Sequence, residues 1–91
     1  MAKRGKLEII YDILKTIQTS NNSIKSTPLL RKSNVSTKRF KEYFSELLAK
    51  NFVRETNHRN EKFISLTDKG FKFLEKYRTI INFIDEFELE L

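Results

Sequence analysis

Lys38 and Lys41 stand three residues apart, with Thr37 and Arg39 beside them, directly after the turn-like triplet Asn34-Val35-Ser36. On a helix this spacing sets both ammonium groups on one side, clear of the apolar face. Side chains of these types neutralise phosphates and hydrogen-bond to the edges of bases. Arg31 and Lys32 lie just upstream of the triplet, and His58, Arg59 and Lys62 form a further basic group in the polar stretch after Thr56. The chemistry on offer is recognition of a polyanion.

Catalysis has no comparable support. The 91 residues hold no cysteine and one histidine, which removes thiolate nucleophiles, disulfides and any Cys/His metal cluster. There is no Gly-rich phosphate loop, and Glu42, Glu46 and Glu55 read as solvated charges. We expect no catalytic residue, no metal ion, no cofactor and no small-molecule ligand.

Charge supports the polyanion reading. The net charge is +6, but residues 1–66 carry 14 Lys/Arg against 6 Asp/Glu, whereas residues 67–91 carry 4 against 6. A basic body and a slightly acidic final segment face different partners. With 38% apolar residues in so short a chain, one modest core is expected, and a second apolar surface buried against a partner would add stability. No apolar run is long enough for a signal peptide or a membrane span, so the expectation is a cytoplasmic, nucleoid-associated protein.

Five elements must position the basic residues. Leu7, Ile10, Leu14 and Ile17, with Ile13 beside them, recur at helical spacing, and Thr19-Ser20-Asn21-Asn22-Ser23 ends that helix. Ile24 fits a short extended segment able to pair with a later hairpin. Thr27 reads as an N-cap with Pro28 in the first helical position, giving a short second helix over 28–33. Ser36 reads as the N-cap of a third helix running to Asn51, whose face of Phe40, Tyr43, Phe44, Leu47 and Leu48 leaves Thr37, Lys38, Lys41, Glu42 and Ser45 outward, with Arg39 at the flank. Residues 52–56 and 62–66 are rich in aromatic and β-branched types and read as two strands, with His58, Arg59 and Lys62 at or beside the tip.

Thr67 and Asp68 then open a last helix, where Gly70 allows close packing. In that helix Phe73, Tyr77, Ile80, Ile84, Phe87 and Leu91 recur at spacings 4, 3, 4, 3, 4, a heptad seam, with Leu74 and Ile81 alongside. Carried to residue 91 it would be about 35 Å long, more than one small domain covers. Its charges run from Lys69, Lys72, Lys76 and Arg78 to Asp85, Glu86, Glu88 and Glu90, which favours an antiparallel pair of copies. The whole reads as a mainly α protein with a small β-hairpin (α+β): a winged helix-turn-helix domain over 1–66 and a dimerisation helix over 67–91 forming an antiparallel coiled coil. Double-stranded DNA and a second copy are the expected partners. The competing readings are a winged module that docks a protein partner through its apolar last helix, and an RNA-binding module.

The segments Lys6-Leu7-Glu8-Ile9-Ile10, Ile13-Leu14, Asn34-Val35-Ser36 and Leu66-Thr67-Asp68-Lys69-Gly70 resemble those of the archaeal winged-helix proteins known as Sulfolobus 10a-type chromatin proteins. They are also similar to the related archaeal winged-helix transcriptional regulators. The resemblance covers nearly the whole chain. It implies a homodimer joined by C-terminal helices, with recognition by the helix from Ser36 to Asn51, a wing around His58, and dimerisation after Gly70.

Overall fold

In a computed structural model that describes residues 5–89, six elements follow in order. They are α1 (Lys6–Thr19), α2 (Ser26–Ser33), α3 (Thr37–Ala49), β1 (Val53–His58), β2 (Glu61–Leu66) and α4 (Asp68–Glu86). Expected and observed elements agree in kind and order, and the differences lie at their edges.

The buried face of α1 consists of Ile9, Ile10, Ile13, Leu14 and Ile17. Leu7, expected in that stripe, is 58% exposed, because it lies at the stripe's edge in the first turn while Ile9 takes the core position. Asn21 and Asn22 adopt left-handed backbone, which stops α1 and turns the chain. The Asn22 side chain then accepts the Leu66 N–H at 2.7 Å, and Ile24 exchanges backbone hydrogen bonds with Ile64 at 3.1 and 2.8 Å. The expected extended segment is thus a one-residue third strand beside β2.

Helix α2 begins earlier than expected, at Ser26, with Lys25 as its N-cap and no side-chain cap from Thr27. The Lys25 carbonyl accepts the Leu29 N–H at 3.2 Å, so Pro28 still falls in the first turn, where its missing N–H would have had no acceptor. Asn34, left-handed at φ 55°, ends α2. Two residues later the Ser36 hydroxyl caps α3 by accepting the Arg39 N–H at 3.2 Å. Phe40 and Leu47 lock α3 onto the core, with Tyr43, Phe44 and Leu48 partly buried beside them. Helix α3 stops at Ala49, two residues before the expected Asn51. Asn51 turns left-handed, and the Asn51 and Phe52 amides donate back to the Leu48 and Leu47 carbonyls at 3.1 and 2.9 Å.

The strands pair antiparallel from Val53↔Leu66 to His58↔Glu61. They extend further toward the tip than expected, and the turn is Arg59-Asn60 alone, both left-handed at φ 52° and 65°. A two-residue turn of this hand matches the natural twist of paired strands. His58 and Lys62 are therefore ladder residues rather than tip residues. Only the base of the hairpin is buried, through Val53, Ile64 and Leu66.

Thr67 caps α4 by accepting the Gly70 N–H at 3.3 Å, and its own hydroxyl donates to the Asn51 carbonyl. A Cβ at position 70 would collide with the Phe52 carbonyl oxygen, so the glycine is what lets α4 approach the end of α3. The helix does not run to the C-terminus as expected. It ends at Glu86: Glu88 turns left-handed at φ 55°, and the Leu89 amide donates to Ile84 O at 2.9 Å. Its 19 residues measure about 28 Å at 1.5 Å per residue. The described residues span 48 × 26 × 21 Å.

Candidate nucleic-acid interface

Lys38 and Arg39 sit in the first turn of α3, a turn without a single acidic residue. Cations at the positive end of a helix dipole are unfavourable, and nothing else in the fold requires them there. Arg31 and Lys32 differ: they occupy the last turn of α2, where the dipole favours them. The helix-turn-helix therefore brings together a basic end that stabilises its helix and a basic start that destabilises its helix. The second kind of placement is characteristic of a binding site.

All nine residues expected to meet DNA are exposed: Arg31, Lys32, Thr37, Lys38, Arg39, Lys41, His58, Arg59 and Lys62. Among the described residues, no carboxylate pairs with any of the seven lysines and arginines in that set. The opposite end of α3 is arranged differently. There Glu46 pairs with Lys6 at 2.8 Å and with Lys50 at 3.5 Å. The bond from Lys6 holds the Glu46 carboxyl below its ordinary range, and the same contact pushes the Lys6 amine up. Positive charge is paired with a carboxylate at the C-terminal end of α3 and left without one at its N-terminal end.

The hairpin adds to the open end. Glu61, its acidic residue nearest the turn, is taken by Lys25 at 3.0 Å, leaving Arg59 and Lys62 unopposed. Cross-strand partners share a face, so His58 lies on the side of Glu61, and Lys62 lies with Asn57 on the other. The sequence did not single out Lys25, whose role depends on a contact across 36 residues of chain.

Of the residues expected along the dimerisation face, Leu74 and Tyr77 are buried in the subunit's own core, and Phe73 is partly so. Tyr77 stacks on Tyr11 with ring centroids 4.8 Å apart, and Phe73 meets Phe52 edge-on at 5.7 Å. Burial pushes the Tyr77 hydroxyl pKa up. Further along, Ile81 and Ile84 are half-buried, while Ile80 and Phe87 are 49% and 58% exposed. Leu91 lies outside the described residues. Phe83, 54% exposed and 4.9 Å from the Phe87 ring, joins this apolar surface. It falls outside the 4-3 seam, but its spacing of three from Ile80 carried the signal.

Among the described residues no helix is long and apolar enough to cross a membrane, and no group of three His, Asp or Glu is placed to hold a metal.

The chain matches the family model of winged helix-turn-helix proteins (HTH_45) over residues 3–85. The protein MJ0290 of Methanocaldococcus jannaschii is 34% identical over 82 residues, 90% of this chain; the chain spans 36% of that relative's length. Among solved structures, the fold is similar to Sso10a-2, described as a DNA-binding protein from Sulfolobus solfataricus. There the TM-score is 0.77 at 18% identity, covering 93% of this chain and 86% of the other. It is also similar to F93 from STIV, described as a winged-helix DNA-binding protein, with TM-score 0.74, 20% identity, and 87% and 91% coverage. SSV1 F-93 follows with TM-score 0.67, 27% identity, and 93% and 99% coverage. With four helices, a two-stranded wing and a family match across nearly its whole length, the chain belongs to the winged helix-turn-helix family.

Proposed function

We propose that this chain binds double-stranded DNA as a homodimer, placing α3 in the major groove and the wing on the backbone or in the adjacent minor groove. The observation that carries the proposal is the unpaired basic start of α3, held outward by an apolar face that anchors the rest of the helix. In this reading Thr37, Lys38 and Lys41 reach base edges. Arg31, Lys32, Arg39, Arg59 and Lys62 neutralise phosphates, with His58 a further donor on the wing. The described winged-helix neighbours that bind DNA support the same assignment.

The homodimer rests on a separate observation. Ile80, Phe83 and Phe87 form an exposed apolar surface on one helix, flanked by opposite charges at its two ends. Two antiparallel copies would cover that surface and set the basic start of each helix near the acidic end of the other. Dimerisation would link two recognition helices, as a transcriptional regulator or an architectural chromatin protein requires. The same surface favours a second reading, docking of a different protein partner.

The test is titration onto mixed-sequence and genomic duplex DNA, with duplex RNA as competitor and light scattering for size. DNA binding by a dimer, resisted poorly by RNA whose narrow major groove excludes α3, is the expected result. Little sequence preference would assign the architectural role, and strong preference for a few fragments the regulatory one. Absence of DNA binding at low salt would leave the partner-docking reading.

A further inference from the structure

Beside the first turns of α4 a groove opens between α1, α3 and α4, floored by Leu7, Phe52 and Phe73 and rimmed by Lys6, Lys50 and Lys69. Leu7 is 58% exposed there, the most exposed apolar residue of an otherwise core-packed helix. Glu46 serves both Lys6 and Lys50, while Lys69 stands 4.6 Å over the Phe52 ring and donates to the Lys50 carbonyl at 2.8 Å. Three cations around one carboxylate leave the rim positive. Phe73 belongs both to this groove and to the heptad seam, so groove and seam are continuous.

Within the helix and its cap the seam reads the same from either end, since Tyr77, Ile80, Ile84 and Phe87 are spaced 3, 4, 3. An antiparallel pair in that register sets Ile80 against the partner's Ile84 and Tyr77 against the partner's Phe87. Phe73 lies one stacking distance, 5.7 Å, beyond Tyr77. A segment that continues past the partner's Phe87 therefore arrives at Phe73 and Leu7. The segment itself fits: Glu88 leaves the helix in a left-handed turn, Leu89 is 56% exposed, and the flanking charges Asp85, Glu86 and Glu88 are negative.

We propose that each subunit's Phe87-Glu88-Leu89 segment lies in the lysine-rimmed groove of the other subunit, Leu89 covering Leu7 and Phe73 while Glu88 faces the rim. This rests on the dimer reading above and goes beyond it. Through Leu47 and Lys50 the groove is continuous with the C-terminal end of α3. The segment thus ties the recognition helix of one subunit to the last helix of the other and fixes how far apart the two recognition helices sit.

Because the chain has no cysteine, mixed-disulfide trapping is direct. Full-length Leu7→Cys and Leu89→Cys chains, one of them tagged, are mixed under mild oxidation. A seam pair, Ile80→Cys with Ile84→Cys, and a control pair, Thr56→Cys with Leu89→Cys, are treated alike, and the unsubstituted chain is sized by light scattering. Leu7, Thr56 and Leu89 are exposed, so these substitutions leave the core intact. The expected result is a mixed disulfide between positions 7 and 89 forming roughly a hundredfold faster than the control, as expected when two groups are held together. A dimer whose seam pair cross-links while positions 7 and 89 react no faster than the control overturns the groove assignment alone. A monomer in which neither pair cross-links overturns the dimer reading and the groove assignment with it.

Discussion

Helices α3 and α4 share an amphipathic design but leave opposite kinds of surface uncovered. Each buries an apolar stripe against the same core: Phe40 and Leu47 from α3, Leu74 and Tyr77 from α4. What α3 leaves outside is cationic and unpaired, at its N-terminal end. What α4 leaves outside is apolar, in its second half. A cationic surface gains from a polyanion and is weakened by salt, whereas an apolar one gains from another apolar surface and is not. The contrast assigns the two helices different partners and gives each assignment its own means of failure.

The largest expected effect comes from breaking the apolar surface. Charging it with Ile80→Glu and Ile84→Glu should give monomers by light scattering and reduce affinity for a duplex carrying two half-sites by about 10²–10⁴-fold, the usual gain from linking two binding events. Monomers of unchanged affinity would show that the helices act independently. Next is Leu74→Ala, expected to cost about 2–5 kcal/mol of folding stability in denaturant titration. Ile80→Ala should leave an isolated subunit's stability nearly unchanged, so the pair separates the covered half of α4 from the uncovered half.

On the cationic side, Lys38→Ala with Lys41→Ala should weaken duplex binding without altering size in solution or the melting transition. Loss of two phosphate-facing charges, through Lys32→Ala with Arg39→Ala, should flatten the log–log salt slope by about 1.8, at 0.9 per contact. The smallest effect belongs to the carboxylate-paired end of α3. Lys6 and Lys50 hold the Glu46 carboxyl below its unfolded value, so its contribution is present above that value and lost as pH falls through the lower folded one. Glu46→Gln should therefore slightly flatten the acid limb of a stability-versus-pH curve and leave DNA binding at neutral pH unchanged. A loss of DNA affinity would mean that the two ends of α3 are not separate.

Much of this contrast was legible in the sequence, and the exceptions have physical causes. Ser36 announced the start of α3 because a capping hydroxyl satisfies a backbone N–H locally, and Gly70 announced a close approach because no other residue fits against Phe52. The heptad spacing showed that one face of α4 is apolar, but periodicity does not say what covers it. That the core takes Leu74 and Tyr77 and leaves Ile80 depends on where α1 begins beside α4, a tertiary fact. The end of α4 was hidden because Glu88 adopts a conformation usually taken by glycine or asparagine. Arg59 concealed the hairpin turn for the same reason, which pushed the expected tip onto His58 and Lys62. In the basic group the types and exposure were readable, while the pairing of Glu61 with Lys25 required the fold.

The most direct measurement is duplex-DNA affinity at several salt concentrations for the unsubstituted chain and for the Lys32→Ala, Arg39→Ala double variant. A linear log–log decline is expected for both, shallower for the variant by about 1.8, with identical size in solution. Equal slopes and equal affinities, or no binding by the unsubstituted chain even at low salt, would contradict the DNA-binding reading.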